Sequence, residues 1–165
     1  MQKIGIIGGS GFLGTSLIEC LGVECSINYD KNESIKFSSI TKISDICDNN
    51  FIDSLSSDVD TIVLLAAEHR DDVTPVSLYY QVNVDGMQNV LQAMNKHNID
   101  NIIFTSSVAV YGSNPDSKIT EKSKINPDSI YGISKYVGEM FIKQILYYTK
   151  SKTRIFRVFN TFGPG

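Results

Sequence analysis

The sequence predicts an α/β fold, a doubly wound parallel sheet of the Rossmann type, and three observations carry that expectation. Short β-branched runs alternate along the chain with stretches of helical periodicity. The first run, Lys3-Ile4-Gly5-Ile6-Ile7, leads directly into Gly8-Gly9-Ser10-Gly11-Phe12-Leu13-Gly14, which is the strand, turn and helix order of a phosphate-binding crossover. A later run, Thr61 to Ala67, is apolar on both faces, as a central parallel strand must be. At 165 residues the chain fits one dinucleotide-binding domain, residues 1–165, within the ~100–200 residues usual for a single core.

Taken in order, Lys3 to Ile7 reads as a buried strand. Gly8 then permits a tight turn, Gly11 lets the backbone approach a pyrophosphate, and Gly14 lets the next helix pack closely on the sheet. That helix is expected from Phe12 to Cys20, with the N–H groups of Phe12 and Leu13 at the end that attracts phosphate oxygens. A second strand, Cys25 to Tyr29, ends at Asp30, about 20 residues beyond the glycine turn, where a carboxylate accepts hydrogen bonds from an adenosine ribose. The same carboxylate repels a 2′-phosphate, which favours NAD over NADP. The adjacent Lys31 pulls the other way.

A polar stretch follows, then a short strand at Thr41 to Ser44 and a helix at Asn49 to Leu55. After the strand Thr61 to Ala67, Pro75 introduces a helix with Tyr79, Val82, Met87, Val90, Leu91 and Met94 at helical spacing. Asn101 to Thr105 is a strand leading into Ser106 and Ser107. A helix from Asp128 to Lys150 places Ile130, Ile133, Val137, Phe141 and Ile145 on one side, and Thr153 to Phe159 is the last strand. Parallel neighbours need crossovers, so the ends of these strands gather on one edge of the sheet, where ligands bind.

Composition narrows the partners. A formal net charge of −3 with mixed signs provides no basic stripe for nucleic acid. No apolar stretch approaches the ~20 residues of a membrane span, and the N-terminus lacks a basic signal-peptide flank, so the expectation is a cytoplasmic protein with small-molecule ligands. Cys20, Cys25 and Cys47 have no metal-ligand spacing, and neither His69 nor His97 pairs with them, so no metal site is expected.

Tyr131 and Lys135 stand four residues apart, on one face of the expected helix. A free tyrosine ionises near pH ~10, and a neighbouring cation favours the phenolate, bringing a base closer to neutrality.

Together with the glycine turn, further motifs occur in a fixed order: Ser44-Asp45-Ile46, Leu65-Ala66-Ala67, Asn83-Val84-Asp85-Gly86, Ser106-Ser107-Val108-Ala109-Val110-Tyr111-Gly112, Tyr131 through Lys135, and Arg157-Val158-Phe159-Asn160 with Gly163-Pro164-Gly165. In this set the chain resembles the NAD-dependent epimerase/dehydratase family of the extended short-chain dehydrogenase/reductase superfamily, which acts on nucleotide sugars. The resemblance implies that Asp45 and Ile46 flank the adenine, that Leu65 to Ala67 pass beneath the cofactor diphosphate and ribose, and that Asn83 and Phe159 lie near the cofactor. It implies a catalytic triad of Ser107, Tyr131 and Lys135. Tyr131 takes the hydroxyl proton as hydride leaves the sugar, Lys135 holds the nicotinamide ribose and stabilises the phenolate, and Ser107 orients the substrate. Ser107, Tyr111 and Asn160 are the implied substrate contacts.

Departures from the family pattern narrow the reaction. Dehydratases of the family commonly carry Thr-Asp-Glu where this chain has Ser107-Val108-Ala109. The missing acid and base favour an epimerase, with a keto-sugar reductase using NADPH or a non-catalytic dinucleotide-binding module as alternatives. The histidine usual before Leu65 is Leu64 here. Family members continue past the Gly-Pro-Gly turn into a smaller substrate-binding domain, so the expectation is a truncated chain that binds cofactor with little turnover. Family members commonly form homodimers through helices corresponding to 76–94 and 130–148.

Overall fold

A computed structural model describes residues 2–70, 72–113, 118–148 and 152–163. Six parallel strands, β1 (Lys3–Ile7), β2 (Ser26–Asp30), β3 (Thr41–Ile43), β4 (Val59–Leu64), β5 (Asn101–Ser107) and β6 (Lys152–Val158), form one sheet in the order β3-β2-β1-β4-β5-β6. This is the order of a doubly wound dinucleotide-binding sheet, with the switch point between β1 and β4. In register, Ile6 lies beside Asn28 on one side and Val63 on the other, and Phe104 lies beside Ile155.

The helices are α1 (Phe12–Leu21), α2 (Ser77–Tyr80), α3 (Gly86–Lys96) and α4 (Ile130–Tyr148). Strand residues alternate between the two faces. Ile6 packs with Ile18 of α1 on one side of the sheet. Ile7, Ile62, Leu64, Ile102 and Phe104 pack with Met87, Val90 and Met94 of α3 and Ile142 of α4 on the other. Full burial of such side chains contributes about 1.5–3 kcal/mol each. Among the described residues no helix is long and apolar enough to cross a membrane.

Several boundaries differ from the sequence expectation. β4 stops at Leu64, because the Leu65 and Ala66 N–H groups both turn onto the Ile7 carbonyl, each at 2.9 Å, and end the regular ladder. β5 runs on through Ser107, because β6 pairs with it as far as Ser107 beside Val158. The helix expected at 49–55 is a 3-10 segment, Asn49–Asp53, capped by the Asp48 side chain. The helix after Pro75 contains a π-helical turn, Gln81–Asp85, between α2 and α3. Lys150, the expected end of the Tyr131 helix, and Pro164 and Gly165 of the last motif lie outside the described residues.

Gly14 sets how closely α1 approaches the turn below it. A Cβ at this position would lie 2.3 Å from the Gly9 Cα, a backbone contact with no flexible atom to yield. Gly14→Ala is therefore expected to destabilise the domain by about 1–3 kcal/mol. Urea denaturation should show a lower midpoint with an unchanged slope.

Candidate active site

The strand ends form one long cleft, and the glycine turn is its floor. Gly8 has φ +87°, and a Cβ there would meet the Ala66 nitrogen at 2.6 Å, so the turn is pressed against the end of β4. Gly11 differs: the nearest atom to a Cβ built on it is the Gly8 carbonyl oxygen at 3.5 Å, which leaves its outer side open. No side chain caps α1 at Gly11, so the first N–H groups of the helix are free to meet an anion. A glycine with open space before an uncapped helix N-terminus fits a diphosphate.

Asp30 ends β2 beside this floor. Its Oδ2 accepts a hydrogen bond from the Ser10 backbone N–H at 3.0 Å and its Oδ1 one from Asn32 at 2.9 Å. A carboxylate has about four acceptor positions, so capacity is left for ribose hydroxyls. Gly8, Gly11, Phe12, Leu13, Gly14, Asp30, Lys31, Asp45, Ile46, Leu65, Ala66 and Ala67 all line the same cleft. Asp45 accepts from the Cys47 N–H at 2.9 Å within its own turn. Burial, then Asp45, push the Cys47 thiol up to about 11.

At the other end, Ser107, Tyr131, Lys135, Phe159 and Asn160 line the cleft together. Ser107 closes β5, its hydroxyl accepts from the Ala109 N–H at 3.1 Å, and it acts on the Tyr131 phenol beside it. Burial raises the Tyr131 phenol above its ordinary range, Ser107 pulls it back, and Tyr79, whose ring centroid is 6.4 Å away, raises it again. Lys135 is 3% exposed, with its ammonium 4.5 Å from the centre of the Phe104 ring. Burial drags it down to about 7, against an opposing pull from the Glu139 carboxylate.

This arrangement corrects the expectation of a phenol lowered by a neighbouring cation. Burial is the largest cause here, and the groups that act on Tyr131 beside it are Ser107 and Tyr79.

Two expected contacts are not in the cleft lining. Tyr111 is 4% exposed, because the 3-10 turn Val108–Tyr111 carries its ring inward, where the Arg157 guanidinium lies 5.0 Å from the ring centre and donates to the hydroxyl at 2.7 Å. Asn83 is buried in the π-helical turn. Its amide bonds both backbone groups of Glu68, at 2.8 and 2.9 Å, and donates to Ser134 Oγ at 2.9 Å. It ties the segment after β4 to the helix bearing Tyr131. The sequence assigns no role to Ser106, Glu139 or Arg157, which cluster around the buried Glu139 carboxylate in the wall of the cleft, Ser106 itself among the lining residues. The available signal was Glu139 itself, a charge four residues after Lys135 on the same helix face.

Among known proteins, the model of the NAD dependent epimerase/dehydratase family matches residues 4–165. The chain is 48% identical to N-acetyl-alpha-D-glucosaminyl-diphospho-ditrans,octacis-undecaprenol 4-epimerase of Escherichia coli, over 90% of this chain and 44% of the relative. It is 32% identical to a putative UDP-glucose 4-epimerase of Methanocaldococcus jannaschii, over 96% of this chain and 55% of the relative. A dTDP-glucose 4,6-dehydratase from Streptomyces venezuelae, solved with NAD bound, superposes with a TM-score of 0.88 at 25% identity, covering 99% of this chain and 57% of that one. The chain thus spans about half the length of these relatives.

Lys135 makes stability depend on pH. An unfolded lysine keeps its proton to about pH 10.4, whereas the folded one releases it at about 7. Between these values the unfolded chain binds more protons, so this residue's contribution to stability rises with pH, with a slope of up to ~1.4 kcal/mol per unit. Denaturation between pH 6 and 10 should lose that contribution in Lys135→Met.

Proposed function

The chain belongs to the NAD dependent epimerase/dehydratase family, and on that premise we propose that it forms the cofactor-binding and proton-transfer part of an NAD-dependent sugar epimerase. The observation that carries this reading is a single cleft lined at one end by the glycine turn and Asp30 and at the other by Ser107, Tyr131 and Lys135. A protein that only binds dinucleotides needs the first end and not the second.

NAD, when bound, supplies the acceptor and donor of the hydride. Its diphosphate would rest on the open side of Gly11 and the N-terminus of α1, and its adenosine ribose on Asp30. Tyr131 accepts the proton of the sugar hydroxyl and returns it when the sugar is reduced again. Ser107, beside the phenol, orients the same hydroxyl. Lys135 brings positive charge to this wall of the cleft.

The epimerase reading is favoured over elimination of water because Val108 and Ala109 line the cleft directly after Ser107. Neither can donate or accept a proton. The substrate we infer is a glycosyl diphosphate. The relative at 48% identity is named for a diphosphate-linked N-acetylglucosamine carried on undecaprenol, whereas the methanogen protein is named for UDP-glucose. The diphosphate-linked sugar is common to both.

Calorimetric titration of the protein should show NAD binding and weaker NADPH binding. Asp30→Ala should weaken NAD by ~10–100-fold, the value of one charge-assisted hydrogen bond. With the full-length protein, 4-epimerisation of UDP-linked and undecaprenol-linked N-acetylglucosamine should fall at least ~100-fold in Tyr131→Phe, as loss of a general base requires. Undiminished NAD binding in Asp30→Ala would refute the cofactor placement, and unchanged turnover in Tyr131→Phe would refute the proton route.

A further inference from the structure

Behind the reacting end of the cleft is a completely buried carboxylate. Glu139 lies one helical turn beyond Lys135 on α4 and is 0% exposed. Its Oε1 accepts from Ser106 Oγ at 2.7 Å and Arg157 Nε at 2.8 Å, and its Oε2 accepts from Arg157 Nη2 at 2.7 Å. Lys143 approaches Oε2 at 3.7 Å from the surface. Burial pushes the Glu139 carboxyl up, and Arg157 and Ser106 more than offset this, holding it below the usual range.

Both residues that hydrogen-bond the carboxylate, and Tyr111 beyond them, adjoin cleft residues. Ser106 precedes Ser107 on β5, Arg157 precedes Val158 on β6, and Tyr111, bonded to Arg157, precedes Gly112. Segments distant in sequence therefore meet at one carboxylate. An apolar pair of similar volume fills such a space without the cost of desolvating two ions. It cannot supply directional bonds to two strands and a turn, nor a negative charge one helical turn from a buried ammonium.

The groups facing this region come from each element packed on it. β5 contributes Ser106 and the Phe104 ring, β6 contributes Arg157, the turn after Ser107 contributes Tyr111, and α4 itself contributes Tyr131, Lys135 and Lys143. The charge that opposes the desolvation of Lys135 is Glu139.

We infer that Glu139 is a positioning residue for the reaction: clamped by Arg157, it holds Lys135, Ser107 and the β6 end of the cleft in one register and presents its negative charge to the Lys135 ammonium. The inference rests on the reading of Tyr131 and Lys135 as the reacting pair.

Nuclear magnetic resonance titration of isotope-labelled lysine in the full chain, with the Lys135 signal assigned through Lys135→Met, reads the charge directly. The wild-type midpoint should lie near 7. Glu139→Asp, which keeps the charge, should stay close to it, whereas Glu139→Gln should fall by ~1 pH unit, as loss of a close opposite charge predicts. Because Glu139→Gln takes the countercharge from the half-buried Arg157, the double substitution Glu139→Met with Arg157→Met is the second arm. It should remain folded and show a fall in the same direction, smaller because the Arg157 cation leaves with the carboxylate. NAD affinity should weaken in the two uncharged variants and recover in Glu139→Asp. An unchanged Lys135 midpoint in the folded double variant would overturn the inference. So would a double variant that does not fold, since the pair would then be a requirement of packing. Should the wild type bind no NAD, the proposed function fails, while the Lys135 midpoint still decides the part played by Glu139.

Discussion

Parallel pairing is the constraint on which the rest of this structure depends. A parallel strand cannot return through a tight turn, so each connection must cross the sheet, and all six strands end on the same edge. Residues as far apart as Gly8 and Asn160 come together for that reason alone. Short backbone bonds then join the ends: Gly8 donates to the Tyr29 carbonyl and Ser44 to the Asp30 carbonyl, both at 2.8 Å, and Leu65 and Ala66 share the Ile7 carbonyl. The cleft is a by-product of strand direction, shaped by these few bonds.

Its two ends differ in how they handle charge. At the glycine turn the donors are backbone N–H groups near solvent, whose strength comes from orientation rather than ionisation. At the reacting end the groups are side chains in a desolvated wall, and burial drives each toward its neutral form. Tyr131 rises and Lys135 falls to about 7. In the proposed reaction, further positive charge against Tyr131 is needed to draw its proton away, which makes cofactor binding and proton transfer coupled events. Glu139 opposes the loss of charge at Lys135, so the balance at this wall is set from behind it as well as from the cleft.

The strands were legible in the sequence because their signal is local. β1 matches the expected Lys3 to Ile7, since a β-branched run stopped by glycine leaves little choice. The end of β4 was not legible, since Leu65 and Ala66 look like any apolar strand residues and turn only because the Ile7 carbonyl is within reach. The direction of a side chain after a strand end is equally a tertiary matter. Tyr111 is expected on the substrate side and Asn83 near the cofactor, and both side chains point into packed interior, drawn by Arg157 in one case and by the Glu68 backbone and Ser134 in the other. A charge on a long helix such as Glu139 reads as solvated, and its burial is explained by its sheet partners Arg157 and Ser106.

These differences have a common physical sense. A motif in a fold of this kind contains residues that touch a ligand and residues that hold those that do, and spacing does not separate them. On the proposed reading Ser107, with Val108 and Ala109 beside it in the cleft lining, is of the first kind, and Ser106, Tyr111, Glu139 and Arg157 are of the second. The division leaves the chemistry free to change while the frame stays. Small apolar side chains at 108 and 109 remove acid and base groups from the cleft without disturbing the bonds from Ser106 and Tyr111 that keep its wall in place, so one architecture accommodates either elimination of water or simple inversion at carbon.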